Sequence, residues 1–476
     1  MRPEDKFSLN INTYLNQKYN ELSCKVGPYS NIIGIFYHEL IIYFTNYYLI
    51  NNSEYEYNQK IEFPYLNTDY CNKPFLLSHS IANARNTSLK QLILLIVVKL
   101  RHLLCRFYYC KSTVGVLAPN YFFLNNIISL PLYIRINLFK NKKVYITKYE
   151  YQFSFLKNIL LELCGIYKIP EPIIFVENFL NYVKQFITDK QKIFQYDYLI
   201  VESNSVLNYR INGANALFQN KYVISFAHGD ASAEVLDNPL IGYGELSYCT
   251  HYIDYGSKKL TFGENNLPLH NPPIILKRSS SIIKKYYREC SIRKEINHQT
   301  YKGLYIPTGF SENRRYGPFR DIDDRIYINW QNAIFDSSDN IYYKPYPGQK
   351  KIVNISKERI IEGDLKKNIH ILNKYDLIII DYFSTVSNLV VATDKPIIYF
   401  NLGLRNIACK AKKDFKERVF WCDVDLSKDY SIQVQNGFKN FFQSEQSFVN
   451  NYTKKYSLNN EYVSELDLIK DIIRKK

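Results

Sequence analysis

Residues 376–400 read DLIIIDYFSTVSNLVVATDKPIIYF, and this pattern decides the fold class. Asp376–Ile380 carries a continuous apolar run of the kind found in central parallel strands, which are buried on both faces. SNLVVAT has helical character and KPIIYF is again strand-like, so the stretch predicts a βαβ unit. The turn DYFST then lies at a strand's carboxyl end, where open parallel sheets bind their ligands. Amide groups of the first helical turn point outward there and favour phosphate. Ser384 and Thr385 can cap that helix and offer hydroxyl donors, although capping alone also accounts for these residue types.

The same rhythm extends to both sides. From Tyr196, YDYLIVES reads as a strand, SVLNYRINGANALFQN as a helix and KYVISFAHGD as a second buried strand, with SYCTHYI another strand candidate. Residues 272–299 turn basic and polar and read as a connection between two blocks. Beyond them KGLYIPTG is a strand, Asp324–Asp336 a helix, and DNIYYKPYP a strand halted by prolines. The chain is therefore expected to be α/β, with two Rossmann-like domains facing across a cleft. The expected boundaries are 1–290, 291–440 and a helical C-terminal segment 441–476 that crosses back toward the first domain. The first 190 residues mix apolar helices with strand-like pieces at Thr113–Leu117 and Val144–Thr147.

Composition sets the outer limits. A chain of 476 residues with 46% hydrophobic and 22% charged side chains can bury large cores in two or three domains. The formal charge of +16 is spread along the chain and predicts attraction to anions: phospholipid head groups, nucleotide donors or acidic glycans. Nucleic acid is not expected, because no zinc-finger, RNP-like or helix-turn-helix pattern is present. Nine irregularly spaced cysteines read as reduced thiols, and no metal site is implied. The N-terminus has no apolar signal core, which predicts a cytoplasmic protein. Ile32–Ile50 contains His38 and Glu39, and Leu92–Val98 is cut short by Lys99 and Arg101, so neither supplies the roughly 20 apolar residues of a membrane span. The stretch 90–109 reads as a buried or interfacial helix.

Several strand-end turns carry groups fit for catalysis. His228 in FAHGD can take a proton from an acceptor hydroxyl, Gly229 allows close approach of a substrate, and Asp230 can orient the imidazole or act as the base. In YKPYPGQ, Lys344 can meet a phosphate as a point charge while Pro345 and Pro347 stiffen the turn. TGFSENRRYG offers Ser311, Asn313, Arg314 and Arg315, whose guanidinium groups can clamp a diphosphate. Each of these has an ordinary alternative as a structural turn or a solvated charge.

FAHGD, YKPYP and IDYFSTVSNLVVATDKPIIYF occur in the order found in bacterial transferases similar to CDP-glycerol glycerophosphotransferases and related capsule and surface-carbohydrate transferases. The resemblance spans about Tyr196 to Phe400. It implies a GT-B fold, an acceptor side with His228 and Asp230, and a donor side with Arg314, Arg315, Lys344, Tyr346, Asp381, Ser384 and Thr385. It further implies an inverting, metal-independent transfer of a glycosyl group, such as an acidic sugar, or of a polyol phosphate. The donor would be CMP-, CDP- or UDP-linked and no other cofactor is implied; the acceptor would be a glycan or lipid-linked glycan hydroxyl. Tyr346 stands where the family pattern has histidine; it can donate a hydrogen bond but carries no imidazolium charge. A degenerate transferase fold that only binds polyanions is the alternative. Peripheral contact with the anionic inner face of the cell membrane is a further expectation.

Overall fold

The computed structural model describes residues 3–41, 43–44, 112–117, 134–138, 143–202, 207–227, 245–257, 271–280, 283–284, 287, 296, 300–307, 324–345, 353–363, 365, 369–405, 407–444, 449–458 and 464–474. Two parallel sheets organise the chain. The first contains β1 (Ser112–Leu117), β2 (Ile134–Leu138), β5 (Tyr198–Val201), β6 (Tyr222–Phe226), β7 (His251–Tyr255) and β8 (Ile274–Arg278), in the order β2-β1-β5-β6-β7-β8. β3 (Val144–Tyr145) and β4 (Ile187–Thr188) form a separate parallel pair. The second sheet contains β9 (Gly303–Ile306), β10 (Ile341–Tyr343), β11 (Leu377–Ile380), β12 (Ile397–Asn401) and β13 (Phe420–Asp423), in the order β10-β9-β11-β12-β13. Every pairing in both sheets is parallel.

Side chains alternate between the two faces of each strand, so a buried parallel sheet needs apolar cover on both sides. In the second sheet Leu304, Ile306, Ile378, Ile380, Ile397 and Tyr399 pack against the helices Thr385–Val391, Cys409–Lys416 and Asn451–Tyr456. The opposite face, with Tyr305, Ile341, Tyr343, Ile379, Ile398 and Phe400, packs against Asp324–Asp336 and Tyr430–Gln443. This is the α/β architecture read from residues 376–400, and the βαβ unit pairs Ile378 with Ile397 in register.

The first sheet is covered from the two ends of the chain. Leu199, Val201, Val223 and Tyr252 face a helical layer built from Pro3–Val26, Ile32–Ile35, Tyr149–Ile166, Pro172–Lys184 and Leu207–Phe218. Within it one terminal nitrogen of Arg210 donates to both oxygens of the Glu39 carboxylate at 2.5 and 2.6 Å, and its Nε–H donates to the Ile35 carbonyl at 3.0 Å. Glu39 therefore lies in a buried ion pair within the helical layer. Val114, Ile200, Ile224, Phe226 and Ile253 face the other way, onto Ile469, Ile472 and Ile473 of the C-terminal helix Glu465–Arg474.

The segment before that helix ties the two sheets together. Ser257 N–H donates to the Lys455 carbonyl and Ser280 N–H to the Ser457 carbonyl, at 3.0 and 2.9 Å. Gly256, at φ +82°, meets the same segment so closely that a Cβ would lie 2.6 Å from the Lys455 carbonyl oxygen. The expected return of the C-terminal helix to the first domain is thus present, and with the two Rossmann-type sheets it makes up the GT-B class of layout.

Two expectations need correction. Ile274–Arg278, inside the stretch read as a connection, is the sixth strand of the first sheet. It is an edge strand with Ile274 59% exposed, so it lacks the apolar signature of a buried strand. β13 was not expected at all; FWCD is a four-residue edge strand, partly exposed along its length. The stretch 90–109 lies outside the described residues. Among the described residues no helix is long and apolar enough to cross a membrane.

Because the C-terminal helix completes the first core, Ile469→Ala should cost about 2–5 kcal/mol of stability, typical of emptying a buried isoleucine site. Urea unfolding of the full chain measures this, and an unchanged midpoint would show that the helix adds nothing to the core.

Candidate functional site

In chain order the strands of the second sheet run 2-1-3-4-5, so successive connections leave in opposite directions on either side of β9 and β11. Such a switch point opens a crevice outside the strands' carboxyl ends. The turn at Asp381–Thr385 follows β11 there, and Lys344 follows β10, the edge strand on the other side of β9. Residues 308–317, which hold Arg314 and Arg315, follow β9 in sequence but lie outside the described residues.

Asp381 points inward and is 1% exposed. Its Oδ2 accepts from the Tyr305 hydroxyl and, at 3.2 Å, from the Trp330 indole N–H; its Oδ1 accepts from the Tyr327 hydroxyl at 3.1 Å. One carboxylate thus joins β9, the helix Asp324–Asp336 and the end of β11. Burial, followed by the adjacent carboxylate, pushes the Tyr305 and Tyr327 hydroxyls well above the ordinary tyrosine value, so both remain donors. Within this network Asp381 serves to hold the turn.

The turn itself is internally braced. Ser384 is the N-cap of Thr385–Val391: its hydroxyl accepts from Val386 N–H at 3.3 Å. Ser384 N–H donates to the Ser387 hydroxyl at 2.8 Å, and that hydroxyl donates to the Ser384 carbonyl at 2.6 Å. The capping role expected for Ser384 is therefore present, and both Ser384 and Thr385 retain partial exposure. At the other end Arg418, fully buried, donates to the carbonyls of Val391, Thr393 and Lys395 at 2.9, 2.8 and 2.8 Å. Its positive charge meets the negative pole of the short helix. Asn450 also donates to Val391, at 2.9 Å.

Lys344 is not a solvated surface lysine. It is 4% exposed, its N–H continues the sheet by donating to the Tyr305 carbonyl at 2.9 Å, and its ammonium donates to the Pro345 carbonyl at 3.2 Å. Tyr346 and Pro347 lie outside the described residues.

On the first sheet the ladder reaches Ala227, whose N–H donates to the Ile253 carbonyl at 3.0 Å; His228, Gly229 and Asp230 lie beyond the described residues. The neighbouring strand ends carry a partly buried ion pair between Lys277 and the buried Asp254. Beside it Arg278 lies 4.1 Å from the Tyr255 ring centroid and 5.2 Å from that of Phe226, and pairs with Glu465 of the C-terminal helix.

Tyr305, Tyr327, Trp330 and Arg418 were not singled out in the sequence. Asp381 is 76, 54 and 51 positions from its three donors, separations at which local pattern carries no information. Arg418 had one faint signal, a lone arginine among the lysines of CKAKKDFKERVF.

No protein-family model and no curated protein sequence matches the chain. Solved structures with some likeness include a UDP-GlcNAc 2-epimerase from Methanocaldococcus jannaschii, 11% identical, covering 77% of this chain and 99% of that one at a TM-score of 0.37. A spinosyn forosaminyltransferase is 9% identical over 82% of this chain and 96% of its own, with a TM-score of 0.37. A sucrose-phosphate synthase from Thermosynechococcus elongatus is 9% identical over 77% and 98%, again at 0.37. Likenesses this weak carry no argument, and the architecture rests on the two sheets themselves.

Asp381→Ala leaves three buried donors without an acceptor and should cost about 3 kcal/mol or more, whereas Asp381→Asn, which keeps an acceptor oxygen, should cost less. Equal losses in urea unfolding would remove the carboxylate from the network. Alkaline stability has a definite sign. The unfolded chain releases tyrosine protons near pH 10 while Tyr305 and Tyr327 hold theirs, so stability falls as pH rises above 10, by up to about 1.4 kcal/mol per pH unit for each such tyrosine. Tyrosinate absorbance from these two side chains should therefore appear only as the fold is lost; its appearance in a folded protein would contradict their burial.

Proposed function

We propose that the protein is a GT-B transferase that moves a glycosyl or polyol-phosphate group from a nucleotide-activated donor to a hydroxyl of a bacterial surface-glycan acceptor. The observation that supports this reading is that the buried Lys344 and the Ser384–Thr385 turn follow the carboxyl ends of β10 and β11, the two strands that flank β9 in the second sheet. The order of FAHGD, YKPYP and DYFST along the chain supports it from the sequence side.

In the proposed reaction the imidazole of His228, oriented by Asp230, takes the proton of the acceptor hydroxyl. The acceptor oxygen forms a bond to the transferred group as the bond to the nucleotide's terminal phosphate oxygen breaks. Lys344 neutralises the charge left on that phosphate, with hydrogen bonds from Ser384, Thr385 and Tyr346 and from the Arg314–Arg315 pair. Asp381 acts at one remove, since its oxygens bind Tyr305, Tyr327 and Trp330 and fix where the turn begins. For this chain CMP-, CDP- and UDP-linked donors are all proposed candidates.

Nucleotides should raise the melting temperature if this reading holds, and the preferred base identifies the donor class. His228→Ala should lower turnover about 10²–10⁴-fold with nucleotide affinity largely retained. Replacing both Ser384 and Thr385 by Ala should instead weaken nucleotide binding roughly tenfold through lost hydroxyl contacts. Calorimetry and single-turnover assays separate the two effects. Polyanion binding without nucleotide stabilisation or turnover would replace the transferase by a non-catalytic binding protein.

A further inference from the structure

The helix Cys409–Lys416 reads CKAKKDFK. Its inner face is conventional: Ala411, Asp414 and Phe415 are buried, with Asp414 accepting from Lys455 and Tyr456. Its outer face carries Lys410, Lys413 and Lys416 exposed and Lys412 half-buried. Among the described residues none of these four lysines forms a salt bridge. Three pairs, Lys410–Lys413, Lys413–Lys416 and Lys412–Lys416, stand at helical spacings where like charges repel and destabilise the helix. The fold uses part of this charge, since Lys413 and Lys416 lie in the helix's last turn, at its negative pole, and Lys412 and Lys416 stand over the Trp421 ring; the repulsion between neighbouring ammonium groups is what an external anion would relieve.

The surroundings narrow the kind of anion. Lys416 and Lys412 lie 4.6 and 5.2 Å from the ring centroid of Trp421 on the edge strand β13, whose indole N–H donates to Asp423 at 2.8 Å. Val449, 43% exposed, donates its N–H to the Glu417 carbonyl just past the helix's end. The patch is thus a helix face of lysines flanked by an indole, an exposed aliphatic side chain and the exposed carboxylates of Glu417 and Asp423. All four of its cations are ammonium groups, without the forked guanidinium that recognises an individual phosphate bidentately. Diffuse attraction to a charged plane, with an aromatic ring at the headgroup level, suits this chemistry better than capture of one polyanionic chain.

We propose that this face of the Cys409–Lys416 helix docks the protein on a bilayer surface rich in anionic phospholipid. The inference builds on the peripheral membrane contact expected from the sequence and is independent of the transfer chemistry. The test uses the full chain with vesicles of phosphatidylcholine containing about 30 mol % phosphatidylglycerol, compared with phosphatidylcholine alone. Binding is expected only to the anionic vesicles and should weaken strongly between about 0.1 and 0.5 M salt. Replacing Lys410, Lys413 and Lys416 by Gln should reduce partitioning roughly 10²-fold, about fivefold for each lysine. The same exchange at the exposed Lys157, Lys190 and Lys439 matches the loss of charge elsewhere and should reduce binding far less.

An optical signal reports the same event. The chain has two tryptophans and Trp330 is fully buried, so a blue shift on vesicle binding belongs to Trp421 and should vanish in Trp421→Phe. Equal losses from the two triple variants would overturn the proposal in favour of general charge attraction. Failure of the wild-type chain to bind anionic vesicles would overturn it outright. Tighter binding to soluble polyphosphate than to the vesicles would reassign the patch to polyanion recognition. Thermal stabilisation of the Lys→Gln variant by nucleotide is unaffected in every case, which keeps this test separate from that of the transferase.

Discussion

A parallel sheet must be covered on both faces, and the helix that covers one face of the first sheet is the last element of the chain. Ile469, Ile472 and Ile473 lie more than 200 positions beyond the strand residues they pack against, such as Ile200 and Ile253. The chain must therefore complete the second sheet and return before the first core closes. That requirement explains the close contact at Gly256, where only a residue without a side chain leaves room for the returning backbone. It also explains why Arg278 ends β8 facing Glu465: the ion pair sits at the entrance of the helix it secures.

The second sheet solves a different problem, since its candidate site needs a fixed turn at the end of β11. A seven-residue helix is too short to hold its own orientation, and each end is fastened separately. At the amino end Ser384 and Ser387 satisfy one another, while Asp381 immediately upstream is drawn into the core by Tyr305, Tyr327 and Trp330. At the carboxyl end Arg418 and Asn450 occupy the terminal carbonyls. The partly exposed Ser384 and Thr385 are thereby held in place between these anchors.

Legibility in the sequence followed the range of the interaction. Apolar runs such as LIII and KPIIYF announced buried strands because burial on both faces leaves a continuous local signature, and the helix Asp324–Asp336 was bounded correctly from its own pattern. Edge strands failed for the complementary reason. Ile274–Arg278 and Phe420–Asp423 are half-exposed, so their composition follows solvent as much as core. The candidate site divided in the same way. Lys344 and Ser384 were visible as residues of strand-end turns, but their buried or capped states, and the tyrosines and tryptophan that hold Asp381, depend on contacts between distant segments.

The basic residues divide by chemistry as well as by place. Arg210, Arg278 and Arg418 are almost fully buried, and each is engaged by carboxylates, carbonyls or aromatic rings across elements far apart in sequence. A planar guanidinium can satisfy several acceptors at once, so its burial is compensated by the contacts it joins. Lysines cannot make such forks, and most of the lysine charge on the Cys409–Lys416 helix remains at the surface. The net charge of +16 therefore understates the asymmetry, because these arginines are committed to holding the fold while lysines supply the charge still available to anions. Lys344 and Lys395 depart from this division as lysines that are themselves buried, and Lys344 does so at the carboxyl end of β10.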